Sequence, residues 1–337
     1  MLKKTLATLL LLGVALPAHV AVTHADSFFH DDATLGVDVP SPGLYPEGIE
    51  HDTETGSFLL GSIRKGKVVR VTSDGAVETL VDDERLRSVV GIRVDRERGR
   101  LLVNNADYGV AERSAPEDRF QTAALAIYDL SNGTPLQYVD LSRLRPGEAR
   151  FVNDLTIDAD GNAYITDSLA AAIYRVTPAG DASVFLTHEI FRGDGFNLNG
   201  IQTHPDGFLI VAKKSDGRLF RVPLDAPEAF EEIALDRALV GTDGLVLAGE
   251  NELIAITNRA SGQAPNTIHR LVSEDNWASA RVVGSVETGD VYATTGTIRD
   301  GRLFVSQGHL HTLPATLKDD ATPLLEMFRI REVGMQK

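Results

Sequence analysis

The chain of 337 residues contains no cysteine, only three methionines and a single tryptophan. The absence of cysteine excludes disulfide bonds, thiolate metal sites and cysteine nucleophiles. The sequence also lacks a Gly-x-Ser-x-Gly motif, a phosphate-binding loop and a dinucleotide-binding fingerprint. No long segment has the apolar period of a helix. These absences argue against serine hydrolases of the α/β type, nucleotide hydrolases and dinucleotide-dependent enzymes.

Long hydrophobic runs are also scarce. The one candidate, Leu6 to Leu16, follows Lys3 and Lys4 and precedes the small residue Ala25. This pattern is typical of a secretory signal peptide and is too short for a stable membrane span. We therefore expect residues 1–25 to be a signal peptide cleaved near Ala25, and residues 26–337 to form one domain. The expected location is outside the cytoplasm, in a bacterial periplasm, with no membrane span.

Positive charge is in short supply as well. The chain has 33 Lys and Arg residues against 48 Asp and Glu residues, which gives a formal net charge of −15. Such an acidic protein is a poor partner for nucleic acids and for anionic membrane surfaces. The same excess of carboxylates leaves room for bound cations.

One short unit recurs six times along the chain. Its third copy starts at Asn153, continues as a strand, turns at Asp160-Gly161 and returns as a second strand that ends near Thr166. An Asp-Gly pair between β-branched and aromatic residues is typical of a β-hairpin. The second positions of the copies lie 43, 63, 46, 44 and 52 residues apart, and two more strands follow each hairpin. Intervals of about 45 residues with four strands are typical of propeller blades. The sequence therefore predicts an all-β, six-bladed β-propeller.

The sixth blade has no outermost strand of its own. We expect the segment Ala33 to Val39 to supply it, because pairing the first and last segments closes the ring and covers two sheet edges. The alternative is that this segment is a frayed extension.

Polar residues gather where the innermost strands start. Three long segments, 106–122, 259–266 and 308–323, follow second strands and open on this same face, where binding is commonly placed. Innermost strands converge on the propeller axis, so the six starting residues form a ring: Glu47, Val90, Asn153, Asn199, Asp243 and Thr295.

Four members of this ring carry carboxylate or carboxamide oxygen atoms. Two carboxylates and two amide oxygens suit a hard divalent cation, Ca²⁺ first, with Mg²⁺, Mn²⁺ or Zn²⁺ as alternatives. The candidate metal ligands are therefore Glu47, Asn153, Asn199 and Asp243. The other interpretation is that Asn and Asp stand at strand starts because their side chains bond to nearby backbone.

The same hairpins resemble those of the senescence marker protein/gluconolactonase family of regucalcin-like propellers, and more distantly those of the paraoxonases. The resemblance is carried by Pro46-Glu47-Gly48, Asn153-Asp154-Leu155, Asn199-Gly200-Ile201 and Asp243-Gly244-Leu245. It implies a calcium-dependent propeller that hydrolyses lactones and esters. It also implies that Glu47, Asn153, Asn199 and Asp243 bind the metal and that Asp243 acts as the catalytic base. Paraoxonases place a catalytic histidine where this chain has Val90, so the gluconolactonase-type mechanism is the nearer one.

Other polar residues are weaker candidates for substrate contacts. They stand at the ends of second strands or in the last long loop: Asp167, Lys213, Asn258, Gln307, His309 and His311. The segment 106–122 is a candidate lid over the site, or else a tolerated insertion, and Trp277 is expected on an outer sheet surface. Two functions stay open: a secreted metal-dependent hydrolase of small lactones or esters, and a non-catalytic propeller that binds a ligand or protein on the same face.

Overall fold

The computed structural model describes residues 29–30, 35–258, 265–319 and 322–335. The predicted signal peptide lies outside the described residues. In the part of the chain that is described, none of the helices has the length and apolar character needed to cross a bilayer.

The strands form six antiparallel sheets arranged as the blades of a β-propeller, which confirms the predicted fold class. The first long strand of each blade lies innermost and the later strands follow outward. In blade five the short strand β19 (Ala234–Leu235) instead lies at the outer edge, where it pairs parallel with β23 (Ser279–Glu287). The first three blades consist of β3 to β6 (Pro46–Asp52, Ser57–Ser62, Lys67–Val71, Val77–Asp82), β7 to β10 (Ser88–Asp95, Arg100–Ala106, Ala123–Asp129, Pro135–Asp140) and β11 to β14 (Val152–Ile157, Ala163–Asp167, Ala172–Val176, Ala182–Thr187). The next two consist of β15 to β18 (Leu198–His204, Phe208–Lys213, Arg218–Pro223, Glu231–Glu232) and β19 to β23 (Ala234–Leu235, Thr242–Gly249, Glu252–Thr257, Thr267–Val272, Ser279–Glu287).

The sixth blade joins the two ends of the described chain. Its inner strands are β24 (Ala293–Arg299), β25 (Arg302–Gln307) and β26 (Met327–Met335). Strand β2 (Gly36–Pro40) pairs antiparallel with β26 as the outermost strand, and β1 (Phe29–His30) pairs with the end of β26. The predicted closure of the ring by its terminal segments is therefore confirmed. The strand begins at Gly36, and the first two residues of the predicted segment lie outside the described residues.

Helices are few and short in the described chain. Single turns of 3₁₀ helix occupy Ser142–Leu144, Glu189–Phe191 and Pro227–Ala229, and one short α-helix, α1 (Leu313–Thr316), lies in the loop after β25. The core lies between neighbouring blades, where alternate residues of facing sheets pack together. Trp277 belongs to this interior: it is fully buried and donates through Nε1 to the carbonyl oxygen of Glu250 at 2.8 Å. The expectation of an outer-surface position was wrong, because the indole fills the space beside the last strand of blade five.

Candidate functional site

A cavity of about 340 Å³ opens on the face where the innermost strands start. Its lining includes five of the six residues of the predicted ring, namely Glu47, Val90, Asn153, Asn199 and Asp243. The remaining lining residues are Ile63, Tyr108, Phe151, Phe196, Lys214, Tyr292, Leu310, His311 and Pro314. Two of the three long segments, 106–122 and 308–323, therefore contribute to the same cavity as the ring, and most of the third, 259–266, lies outside the described residues.

The ring residues share one local conformation. In every blade the ladder between the first two strands shifts register at the start of the inner strand, for example between Val152 and Leu155 and between Leu198 and Ile201. Such a β-bulge re-aims the side chain that stands at it and is frequent beside functional sites. Five inner strands therefore present their ring side chains to one cavity.

Glycine follows most ring residues because neighbouring inner strands approach closely there. A Cβ atom at Gly48 would lie 2.6 Å from the carbonyl oxygen of Val90, and one at Gly91 would lie 2.6 Å from that of Asn153. Only a residue without a side chain permits this approach. The repeated glycine in the sequence thus reflects the convergence of strands on the axis.

The ladder corrects the ring position in the sixth blade. In the other blades the ring residue directly follows the last regular pair, such as Val152 with Asp167. In blade six that pair is Ala293 with Gln307, so the equivalent residue is Thr294 and not Thr295. Thr294 is fully buried, and its hydroxyl donates to the carbonyl oxygen of Glu47 at 2.6 Å. It therefore anchors the first inner strand, and it does not belong to the cavity lining.

The carboxylate of Asp243 is the most heavily bonded group in the ring. Oδ1 accepts from Nδ2 of Asn199 at 2.5 Å and lies 2.9 Å from the ammonium nitrogen of Lys214, while Oδ2 accepts from Nδ2 of Asn258. Nζ of Lys214 also donates to Oδ1 of Asn258 at 2.8 Å. Asp243 and Lys214 are both buried, with side chains 8% and 7% exposed. The floor of the cavity thus contains an ion pair held by two carboxamides.

The opposite side of the floor has less internal bonding. Asn153 donates through Nδ2 to the hydroxyl of Ser168 at 3.0 Å, whereas its buried Oδ1 has no hydrogen-bond partner among the described residues. Glu47 is buried beside it, and burial, together with the negative charges of Asp243 and Asp154, holds the pKa of its carboxyl well above the usual range. This half of the floor therefore offers an unpartnered amide oxygen and a carboxyl group whose ionisation is disfavoured by burial.

An aromatic wall, formed by Tyr108, Phe151 and Phe196, rises from the floor on one side. The three rings pack edge to face, with centroid separations of 5.8 Å for Tyr108–Phe151, 5.0 Å for Phe151–Phe196 and 6.5 Å for Tyr108–Phe196. Such edge-to-face packing fixes ring positions and leaves an apolar surface toward the cavity.

The loop after β8 supplies Tyr108 and is tied to neighbouring blades. Arg113 forms an ion pair with Asp82 at 2.5 Å, and Asp118 forms one with Arg87 at 2.8 Å. The segment that was a candidate lid or insertion is thus a fixed part of the wall in this structure.

The weaker candidates fall into two groups. His311 lines the cavity, where it stacks on Tyr292 with ring centroids 5.5 Å apart, and Asn258 bonds to Asp243. The other four do not belong to the described lining: Asp167, Lys213, Gln307 and His309.

Two members of the second group have other partners. Asp167 accepts hydrogen bonds from the backbone N–H groups of Phe151, Leu169 and Ala170 and orders the turn after β12. Lys213 pairs with Asp216 at 2.9 Å on the outer side of the strand.

Lys214 is a charged residue of the cavity that the sequence did not predict. It is the first residue after β16, and the corresponding residues after the second strands of blades three and five are Ser168 and Asn258. All three contact ring residues. Side chains alternate between the two faces of a strand, so Lys213 points away from the axis and Lys214 points into the cavity. A count of one residue past the strand would have found it.

Beneath the floor lies a second group of buried charges. Glu50 forms an ion pair with Arg93 at 2.8 Å, and Asp154 accepts from the backbone N–H of Leu155 at 2.8 Å. Burial raises the pKa of Glu50 to about 7, against the opposing effect of Arg93, and raises that of Asp154 to about 6. Across the described residues, no three His, Cys, Asp or Glu side chains come together as a metal-binding group. A cation at the ring would therefore depend on carboxamide oxygens as well as carboxylates.

No protein-family model matches the chain, and no curated protein matches it. Solved structures with the same fold do. The allergen Mala s 1 of Malassezia sympodialis has a TM-score of 0.69 at 19% identity, covering 88% of this chain and 95% of that one. The calcium-binding protein regucalcin from Agrobacterium tumefaciens has a TM-score of 0.57 at 19% identity, with coverages of 90% and 97%. A gluconolactonase from Xanthomonas campestris has a TM-score of 0.56 at 17% identity, with coverages of 87% and 87%. Likeness at these identities establishes the fold, and the resemblance to regucalcin and gluconolactonase propellers is confirmed at that level.

Proposed function

We propose that this protein is a metal-dependent hydrolase of small lactones or related esters. The observation that carries the proposal is the convergence of Glu47, Asn153, Asn199 and Asp243 on one cavity at the propeller axis. The fold shared with a gluconolactonase and a regucalcin supports the same reaction class. We further propose that residues 1–25 export the chain and that residues 26–337 form the catalytic domain.

The oxygen atoms of the ring residues are ligands of the type that hard cations prefer. Oδ1 of Asn153 is buried without a hydrogen-bond partner in the described chain. Burial, and then the charges of Asp243 and Asp154, raise the pKa of Glu47, and a cation bound at the ring would favour its ionised form. Oxygen ligands of this type suit Ca²⁺ above softer metals. Glu47, Asn153, Asn199 and Asp243 would hold the ion. A bound divalent cation polarises a carbonyl group and stabilises the negative charge that develops on its oxygen when water attacks.

Asp243 is proposed to orient the attacking water as general base. An ionised carboxylate has about four lone-pair sites. Asn199, Lys214 and Asn258 occupy three of them, which leaves one site on Oδ2. That site can accept the water proton while the three protein contacts hold Asp243 in place. A cation that also binds through Asp243 must then replace one of these contacts.

The aromatic wall indicates which substrates the cavity would accept. A polyhydroxylated ring needs hydrogen-bond partners around its whole edge, whereas the wall of Tyr108, Phe151 and Phe196 offers mostly apolar surface. The polar groups gather at the floor, where a single carbonyl would lie. This division favours lactones and esters with a hydrocarbon or aryl substituent over sugar lactones.

The alternative function is a non-catalytic binding propeller. One observation favours it: Asp243 already has a full-charge partner in Lys214, so the floor is partly neutralised by the protein itself. An apolar ligand with one polar head would then bind without reaction.

A lactone and ester panel decides between the two functions. Hydrolysis is followed by pH-stat with added Ca²⁺ and with EDTA, for the native chain and for Glu47→Gln. The expected result is turnover that requires the cation and is lost in the variant. The matched control is Glu54→Gln, which changes an exposed carboxylate on the opposite side of blade one. Saturable binding of the same compounds without turnover would establish the binding alternative.

A further inference from the structure

Lys214 is fixed in place by contacts at both ends. Its backbone N–H donates to the carbonyl oxygen of Asn197 at 2.8 Å, and its carbonyl oxygen accepts from Gly241 at 2.9 Å. Its ammonium lies against Asp243 and Asn258 and 5.7 Å from the ring centre of Tyr292. A lysine held in this way is part of the floor and not a surface side chain that happens to reach it.

The ammonium and a divalent cation need the same oxygen atoms. Oδ1 of Asp243 already receives Asn199 and Lys214, so a cation bound through this atom must take the place of one of them. A cation on Oδ2 would instead lie within a few ångströms of a full positive charge in a site with little water to screen it. In either arrangement the ammonium of Lys214 and the metal ion compete for Asp243 or repel each other.

We infer that Lys214 is a tethered counter-ion of Asp243 that competes with the divalent cation for the ring. This inference rests on the proposed metal site. The ring then has two states: one in which Lys214 neutralises Asp243, and one in which the ammonium has moved aside and the metal is bound. Metal affinity is accordingly weaker than four oxygen ligands alone would give. The ring therefore binds a metal only at cation concentrations high enough to displace the ammonium of Lys214 from Asp243.

The neighbouring residue provides a matched control. Lys213 is as buried as Lys214 and also lies 2.9 Å from an aspartate, but its partner Asp216 is outside the cavity lining. The variants Lys214→Met and Lys213→Met remove the same charge one residue apart, and only the first changes the ring. Lys214→Gln serves as a second variant, because its amide still donates to Asp243 without a charge and so preserves the floor if the methionine variant does not fold.

The experiment is calorimetric titration of Ca²⁺ into the full chain and each variant at constant pH and ionic strength. The expected result is an affinity at least about tenfold higher in Lys214→Met and Lys214→Gln than in the native chain, since a repelling charge beside the site is removed. Lys213→Met is expected to bind as the native chain does.

The outcomes separate this inference from the proposed function. Equal Ca²⁺ affinity in the native chain and both Lys214 variants overturns the competition while leaving a metal-dependent hydrolase intact. Equal gains in the Lys213 and Lys214 variants also overturn it, because a general charge effect then explains the change. Absence of binding in every protein overturns both. Stronger binding in the Lys214 variants alone supports the competition even if the lactone and ester panel shows no turnover.

Discussion

Replacing Asp243 by asparagine tests how much the buried ion pair of the floor contributes to stability. The substitution keeps the size of the side chain and one oxygen acceptor, and it removes the negative charge that faces Lys214 at 2.9 Å. Breaking a buried pair by removing one partner costs about 3–5 kcal/mol, because the remaining charge stays buried without compensation.

Two features of the floor reduce this cost. Oδ1 of Asn258 still accepts from Nζ of Lys214 at 2.8 Å. The charge of Asp243 is also one cause of the raised pKa of Glu47, so its removal lets Glu47 ionise more readily and supply a new partner. We therefore expect Asp243→Asn to lower the free energy of unfolding by about 3 kcal/mol, the low end of the range for a buried pair.

The matched substitution is Asp216→Asn. It removes the ion pairs of Asp216 with Lys213 at 2.9 Å and with Arg218 at 2.6 Å, but the side chain of Asp216 is 36% exposed. Lys213 is buried, but water reaches the carboxylate and screens both pairs, so we expect a loss of up to about 1 kcal/mol. Burial and not distance is thus the property that distinguishes the two variants.

Urea unfolding in the presence of EDTA measures both free energies without a contribution from bound metal. The double variant with Lys214→Met completes a cycle, whose expected coupling energy exceeds about 1 kcal/mol. Equal losses for Asp243→Asn and Asp216→Asn, with no coupling in the cycle, would refute the reasoning.

Three other predictions concern closure, pH and the aromatic wall. Val39→Ala removes two methyl groups from a fully buried position on β2 and should cost about 2–3 kcal/mol in urea unfolding. Asp38→Ala, on its exposed neighbour, should cost less than about 1 kcal/mol. Equal losses would contradict the role of β2 in closing the propeller. The pKa of Glu50 rises from 4.5 to about 7 on folding, so the folded protein binds more protons and stability should fall as pH rises through this window. Glu50→Gln should reduce this loss of stability between pH 4.5 and about 7. An unchanged dependence of the unfolding free energy on pH would contradict the raised pKa of Glu50. Tyr108→Ala should change the ranking of apolar and sugar substrates in the lactone panel while Arg113→Ala, outside the cavity lining, leaves the ranking as it is; identical effects would count against the wall.

The fold could be predicted because its signals are local and repeated. The turn and the two strands of each hairpin are encoded within about 20 residues. Six copies make the architecture recognisable even where one copy matches the pattern poorly. The closing strand also followed from a counting argument, because the sixth blade lacked an outer strand and β2 was unassigned. Element boundaries were less accurate. The sequence places the strand of the third copy after Asn153, whereas β11 begins at Val152, because the bulged residues belong to the strand.

The ring was found for the same reason, and its single error has a physical cause. Five ring residues follow one motif, in which glycine or aspartate stands next and a branched apolar residue after it. In blade six the sequence Thr294-Thr295-Gly296 places glycine one position later, so alignment on glycine selected Thr295. The ladder pair of Ala293 with Gln307 shows that Thr294 is equivalent. Hydrogen-bond register, and not residue type, defines the position.

The environment of Asp243 could not be predicted because it joins two blades. Asn199, Lys214 and Asn258 come from inner or second strands of blades four and five, and their contacts depend on how those blades pack about the axis. Sequence spacing places each residue within its own blade but carries no distance between blades. It also assigns a lysine after a strand to solvent, since most lysines are exposed. Yet Lys214 changes the charge of the proposed cation site. Four oxygen ligands alone describe a cation site, whereas four oxygen ligands with a fixed ammonium describe a site whose charge is already partly balanced. The ring of ligands read from sequence therefore supports the proposal of a cation site, and the buried charge of Lys214 supports the proposal that this site binds a cation more weakly than its oxygen ligands alone would.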